Sequence, residues 1–390
     1  MPESTSLIGI KPGSSAAFQV DYGAAIENVD ELIHPPAVSD FLAPGFIDVQ
    51  VNGFAGVDYN DPESRPAEIA RSIRKMFAAG VTRFFATVIT GSEQRIIGSL
   101  RNLRAAKEEF LRNGLPEGDA LEAFHVEGPH ISATEGPRGA HPIQHVRPPD
   151  IEEFKRWQEA ADGGIRLVTL SPEWENAAPY IQALVRSGVV ASIGHTKATG
   201  PQIRAAVDAG ATMSTHLGNA ALSEMPKTDN CLWDQLAEDR LTASFIVDGI
   251  HIPPAFFRAA VRAKGLERSV LITDAVMPAM CLPGPYRLGE VDVELRENGS
   301  VVLRGGTRLA GSALRMDRAI ANAVRLGGIS LSEALAMATV HPARAARIAG
   351  RRRGLNPGEK ADLVRFRWDE ASSSFTVLET IVAGKSVYNA

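Results

Sequence analysis

Four residues suited to a hydrolytic centre are spread along this chain: Glu127 in "FHVEGPHI", His195 in "GHTKAT", His216 in "THLGNA" and Asp274 in "LITDA". Each stands at the polar end of a short apolar run. One carboxylate oxygen and two imidazole nitrogens, with a water as fourth ligand, make the open tetrahedral site of a catalytic divalent ion. Such an ion lowers the pKa of its water from ~15.7 toward ~7 and makes hydroxide available at neutral pH. Asp274 is then the expected proton carrier, taking the proton of that water and handing it to a leaving group. The reaction class is hydrolysis. A lone strand-end histidine is more often structural and a lone carboxylate more often a cap, but four at equivalent places outweigh those odds.

The elements that must position these residues recur as one unit: a short β-rich run, a polar or glycine-containing end, then a helical pattern closed by glycine. The runs cover residues 45–53, 83–90, 121–128, 165–173, 189–196, 212–219, 243–251 and 269–275. Eight strands alternating with helices predict an α/β fold, a (β/α)8 barrel of the TIM type, whose chemistry lies at the C-terminal strand ends. Gln50, Asn52 and His251 also fall at such ends. In "GFIDVQVNG", Asp48, Gln50 and Asn52 alternate with apolar residues and should share one face of the strand. A doubly wound open sheet would require a phosphate-binding glycine fingerprint after its first strand, and the spacing of Gly53 and Gly56 does not provide one.

A hairpin-like insertion is expected over residues 284–306, with "ENGS" as its turn. Residues 351–390 read as short strands of a small β domain, to which the weakly patterned residues 1–44 contribute; the barrel then occupies residues 45–350. The 390 residues suit one large barrel and a smaller domain, and a net charge of −5 gives no reason to expect nucleic acid or an anionic membrane as partner. With two separated cysteines, no paired motif and no long apolar run, the reading is a soluble cytoplasmic protein acting on a small molecule.

Taken in order, "GFIDVQVNG", "FHVEGPHI", "GAHP", "GHTKAT", "THLGNA", "DGIH", "LITDA" and "LAGSALRMD" resemble the N-acetylglucosamine-6-phosphate deacetylase family of the amidohydrolase superfamily. The resemblance covers roughly residues 42–385. It implies that Glu127, His195 and His216 are metal ligands and Asp274 the acid/base. It implies further that His141 and His251 contact the sugar and its N-acetyl group, that Asn219 and Ala220 meet the phosphate end, and that the protein is a homodimer. The expected substrate is N-acetylglucosamine 6-phosphate; a different or unphosphorylated N-acyl amino sugar is the alternative, and a non-catalytic scaffold the reading from another class.

Two departures from the family matter. Its members usually carry a phosphate-binding arginine in the loop after the "THL" strand; here the only cation before Arg240 is Lys227, which can serve only as a point charge. Two-metal amidohydrolases also place two histidines where this chain has Gln50 and Asn52. Carboxamides are poor ligands beside imidazole, so one ion per subunit is expected, zinc first, with iron, cobalt or manganese as alternatives. His125 is read as a barrel-interior residue, His130 and His145 as solvated loop residues, His341 as structural, and "RRRG" at 351–354 as a solvated or salt-bridged surface.

Overall fold

The structure, a computed structural model, describes residues 5–14, 16–33 and 38–390. Eight parallel strands follow one another around a barrel: Phe46–Val51, Val81–Ile89, Leu121–Glu127, Ile165–Leu170, Val190–Ile193, Met213–Ser214, Thr242–Ile246 and Ser269–Ile272. They are buried on both faces, as parallel strands covered by helices must be. The second strand, for instance, is buried from Val81 to Val88.

The first and last strands meet through a parallel bridge between Val51 and Ala275. Across this seam Asp274 N donates to Gln50 O at 3.0 Å, and Asn52 N to Ala275 O at 2.7 Å. Closing the barrel therefore also brings Asp274 to the first strand. The Asp48 carboxylate reinforces the seam, accepting from Thr273 Oγ1 at 2.6 Å and Thr273 N at 3.2 Å.

The shared face expected for Asp48, Gln50 and Asn52 is not what forms. A bulge between Asp48 and Val51 sets one extra residue against Phe84 and Ala86 of the second strand, which breaks the alternation. Asp48 consequently lines a small void with Met76 and Met316 of the surrounding helices, while Gln50 and Asn52 reach the barrel mouth.

The outer helices carry the signals that start and stop them. Pro66–Phe77 begins with Pro at its first position and buries Ile69, Ile73, Met76 and Phe77; Leu331–Met337 opens with a reciprocal Ser330–Glu333 capping box. Gly80 and Gly188, among the glycines that close these helical patterns, both have φ 78, the left-handed region that favours glycine.

Both ends of the chain build a separate seven-stranded sheet. Its order is Lys385–Asn389, Ser374–Val382, Leu363–Asp369, Phe41–Pro44, Thr5–Ile10, Ala17–Tyr22, Ile26–Glu31. It has its own apolar core, including Phe18, Val20, Leu42 and Leu363. The insertion is larger than the hairpin expected at 284–306. It is a four-stranded meander running from Gly284 to Ser312, because Leu309–Ser312 pairs with Ser300–Leu303 and extends it. Val293, Leu295 and Val301 give the meander a small core of its own.

"RRRG" is not wholly a surface run. Arg351 is buried and pairs with Asp362, whose carboxylate also takes Arg83 Nε at 2.6 Å and Nη2 at 3.0 Å. This cluster ties the second barrel strand to the terminal sheet.

Candidate active site

The site residues lie just beyond strands shorter than the sequence suggested. His195 follows a strand ending at Ile193, His216 one ending at Ser214, His251 one ending at Ile246, and Asp274 one ending at Ile272. His195, His216 and Asp274 have φ 51, 33 and 51. Left-handed backbone is costly for most side chains but comparatively accessible to Asp and His, so these ends can turn sharply into the mouth.

Three donor atoms converge there. Glu127 Oε1 lies 3.2 Å from His195 Nε2 and 2.9 Å from His216 Nε2, and the two Nε2 atoms are 3.1 Å apart. Ligands ~2.0–2.2 Å from a tetrahedral ion are about 3.4 Å from one another. The set fits a divalent ion after small outward movements. His195 donates Nδ1–H to the Pro137 carbonyl at 2.9 Å, which leaves the Nε2 lone pair for a metal. His141 can also bring a donor within 4.8 Å of those on Glu127 and His195. His216 Nε2, at 2.9 and 3.1 Å from those two partners, completes the tighter of the two sets as a third ligand; His141 holds Thr90 Oγ1 through Nδ1 at 2.7 Å.

Burial alone would raise the Glu127 carboxyl, but the hydrogen bonds and charges of His195 and His216 hold it well below its ordinary value. His216 is raised in turn, Glu127 outweighing burial. Asp274 is pushed up to about 6 by burial and by the Glu127 charge. Burial and the neighbouring His195 lower His141 to about 3, keeping it neutral.

Gln50 and Asn52 hold the carboxylates. Gln50 Nε2 donates to Glu127 Oε1 at 3.0 Å and to Asp274 Oδ1 at 3.1 Å, and Asn52 Nδ2 donates to Asp274 Oδ1 at 2.7 Å. The Gln50 amide thus stands between the two carboxylates. Asn52 Oδ1 is buried without a partner and Asn52 lines the cavity.

That cavity, about 390 Å³, opens over Glu127, His195, His216 and Asp274, a size suited to a small ligand. His141, His251, Asn219 and Ala220 also line it. His251 donates Nδ1–H to Asp248 Oδ2 at 2.6 Å, which fixes its ring. Lys227 does not line it: the residue is exposed, and its carbonyl accepts from Trp233 Nε1 at 3.1 Å. Arg308 does line it. Nothing in the sequence singled Arg308 out, because only the folded insertion brings it to the mouth.

Among the described residues, the remaining histidines are held by neighbours away from the metal ligands. His125 is buried between Thr169 and Thr87, with Nε2 2.8 Å from Thr169 Oγ1. His341 Nδ1 meets the Ser269 carbonyl at 3.2 Å. His130 is not solvated as expected: it is buried, stacked on Trp157 with ring centroids 5.3 Å apart. His145 pairs with Glu290 of the insertion at 2.9 Å.

An eight-stranded barrel with Glu127, His195, His216 and Asp274 converging from four of its strand ends, and a side sheet made from both termini, defines a class. The chain belongs to the amidohydrolase family, whose model matches residues 41–387. It is 33% identical to the N-acetylglucosamine-6-phosphate deacetylase of Bacillus subtilis, over 98% of this chain and 92% of that one. It is 32% identical to the N-acetylgalactosamine-6-phosphate deacetylase of Escherichia coli O157:H7, over 84% of this chain and 83% of the relative. A solved Mycobacterium smegmatis N-acetyl-D-glucosamine-6-phosphate deacetylase, in complex with N-acetyl-D-glucosamine-6-phosphate, is similar with TM-score 0.87 at 30% identity, covering 99% of this chain and 100% of that chain.

Proposed function

We propose that this protein hydrolyses the N-acetyl group of N-acetylglucosamine 6-phosphate to acetate and the free amine, using one divalent ion held by Glu127, His195 and His216. The observation that carries this reading is the convergence of those three donors beside the Asp274 carboxylate, in a cavity shared with His141 and His251. When bound, the ion polarises the acetyl carbonyl and acidifies water.

Asp274 takes the proton lost as water attacks the carbonyl carbon and returns it to the nitrogen as the C–N bond breaks. Gln50 and Asn52, donating to that carboxylate, hold its orientation. His141, held through Nδ1 by Thr90 Oγ1 at 2.7 Å and kept neutral by burial, can donate to the carbonyl oxygen as charge develops in the tautomer that carries its proton on Nε2. His251, anchored by Asp248, presents its other nitrogen to the sugar.

Zinc is the first ion to test, followed by iron, cobalt and manganese, since two imidazoles and a carboxylate accept all four. The family resemblance supports a homodimer, and two separated cysteines in no paired motif support a reducing, cytoplasmic compartment. A second substrate reading is favoured by the E. coli relative: 32% identity to a galactosamine-phosphate enzyme is close to the 33% of the glucosamine-phosphate one. Acetate release should be measured across 6-phosphorylated and unphosphorylated N-acetyl hexosamines. The reading predicts highest kcat/KM on N-acetylglucosamine 6-phosphate; preference for an unphosphorylated sugar would refute it.

A further inference from the structure

We propose that Arg308, on the insertion beside the barrel mouth, is the cation that anchors the substrate phosphate. This rests on the reading of the substrate as a sugar phosphate. The loop after the sixth barrel strand has no arginine before Arg240, and Arg240 is engaged elsewhere, paired with Glu238 and Asp208 at 2.8 Å each. Lys227 in that loop does not reach the cavity. Among the described residues lining the cavity, Arg308 is the one lysine or arginine.

Charge placement orients the substrate. Glu127 and Asp274 make the buried end of the cavity anionic and would repel a phosphate, whereas Arg308 has a side chain 36% exposed, toward solvent. An acetamide directed at the buried carboxylates and a phosphate directed at Arg308 satisfy both ends. Arg308 sits in the turn between Ser300–Leu303 and Leu309–Ser312, with Thr307 and Leu309 also lining the cavity.

The present partners of the guanidinium can be exchanged. Nη2 pairs with the Glu135 carboxylate and Nη1 reaches the Gly139 carbonyl only at 3.5 Å. Glu135 is 77% exposed, and exposed ion pairs of this kind hold weakly. A phosphate presents a denser charge and matches the two-pronged donor geometry of arginine. Glu135 also locates Arg308. A Cβ on the adjacent Gly136 would lie 3.0 Å from the Ala221 carbonyl, so the chain that carries Glu135 runs beside the Asn219–Ala221 segment, of which Asn219 and Ala220 line the cavity.

The test compares Arg308→Ala, Arg308→Lys and Lys227→Ala on N-acetylglucosamine 6-phosphate and on unphosphorylated N-acetylglucosamine. Arg308→Ala should raise KM for the phosphorylated sugar about 10- to 100-fold, the range expected for a lost charge-assisted hydrogen bond. It should leave kcat nearly unchanged and alter the unphosphorylated sugar less than about twofold. Arg308→Lys should fall between, and Lys227→Ala should match wild type. If wild type prefers the 6-phosphate and Arg308→Ala keeps that preference, or if Lys227→Ala removes it, the role of Arg308 is refuted while the deacetylase reading stands. A wild type indifferent to the 6-phosphate overturns both.

Discussion

Asp274 shows what one residue must satisfy here: a left-handed backbone, φ 51, a carboxylate buried against Glu127, and two amide donors on one oxygen. Such backbone costs roughly 1–3 kcal/mol; asparagine tolerates it about as well as aspartate. Asp274→Asn should therefore fold and bind metal as wild type does, while acetate release falls about 10²- to 10⁴-fold, the usual worth of a general acid/base. Metal analysis alongside the rate assay checks this; unchanged turnover would remove Asp274 from the mechanism. Glu127, His195, His216 and Asp274 were legible in the sequence because each ends an apolar run, a pattern fixed by local chemistry. Arg308 was not, since an arginine in a turn acquires meaning only when the insertion folds against the mouth. Lys227 failed as its substitute because a loop position does not disclose which way the loop runs.

At the scale of elements, the eight barrel strands were legible because burial on both faces demands continuous apolar runs. The N-terminal strands were not. Ile26–Glu31 buries only its first residue fully and Thr5–Ile10 only Gly9, so their alternation is faint. The meander was read as a hairpin because "ENGS" marks only its middle turn, and the bulge after Asp48 has no signature in "GFIDVQVNG".

The Arg83–Asp362–Arg351 cluster joins barrel and terminal sheet, and it was hidden in a run resembling surface charge. Removing its carboxylate leaves the buried Arg351 without its ion-pair partner and Arg83 only with Asp119 and Glu122 at 3.5 Å, so Asp362→Ala should cost about 3–5 kcal/mol, read as a lower urea midpoint. Burial would raise the Asp362 carboxyl, but Arg351 and Arg83 hold it at about 2. In the unfolded chain it titrates near ~3.9. Its contribution is present above about pH 4 and is lost as pH falls through about 2, because the unfolded chain takes up the proton first. Urea midpoints measured across that range should fall with acid in wild type and fall less in Asp362→Asn.

For the molecule as a whole, metal binding and folding should be linked. An ion held by ligands from three different barrel strand ends binds only the folded chain, and ligand at 100 times its Kd adds ~2.7 kcal/mol of stability. Chelation should lower Tm reversibly in wild type and equally in Asp274→Asn, as followed by calorimetry; a Tm unaffected by chelation would argue against a site assembled by the barrel. On the proposed reading the count is one ion per chain, with the Gln50 amide between the Glu127 and Asp274 carboxylates.

The most direct test of the account is a titration of divalent ion into metal-free protein, with acetate release from N-acetylglucosamine 6-phosphate as the readout. The account predicts no activity without metal, a linear rise, and a plateau at one ion per chain. A plateau reached only at two ions per chain, or full activity in the chelated protein, would contradict it.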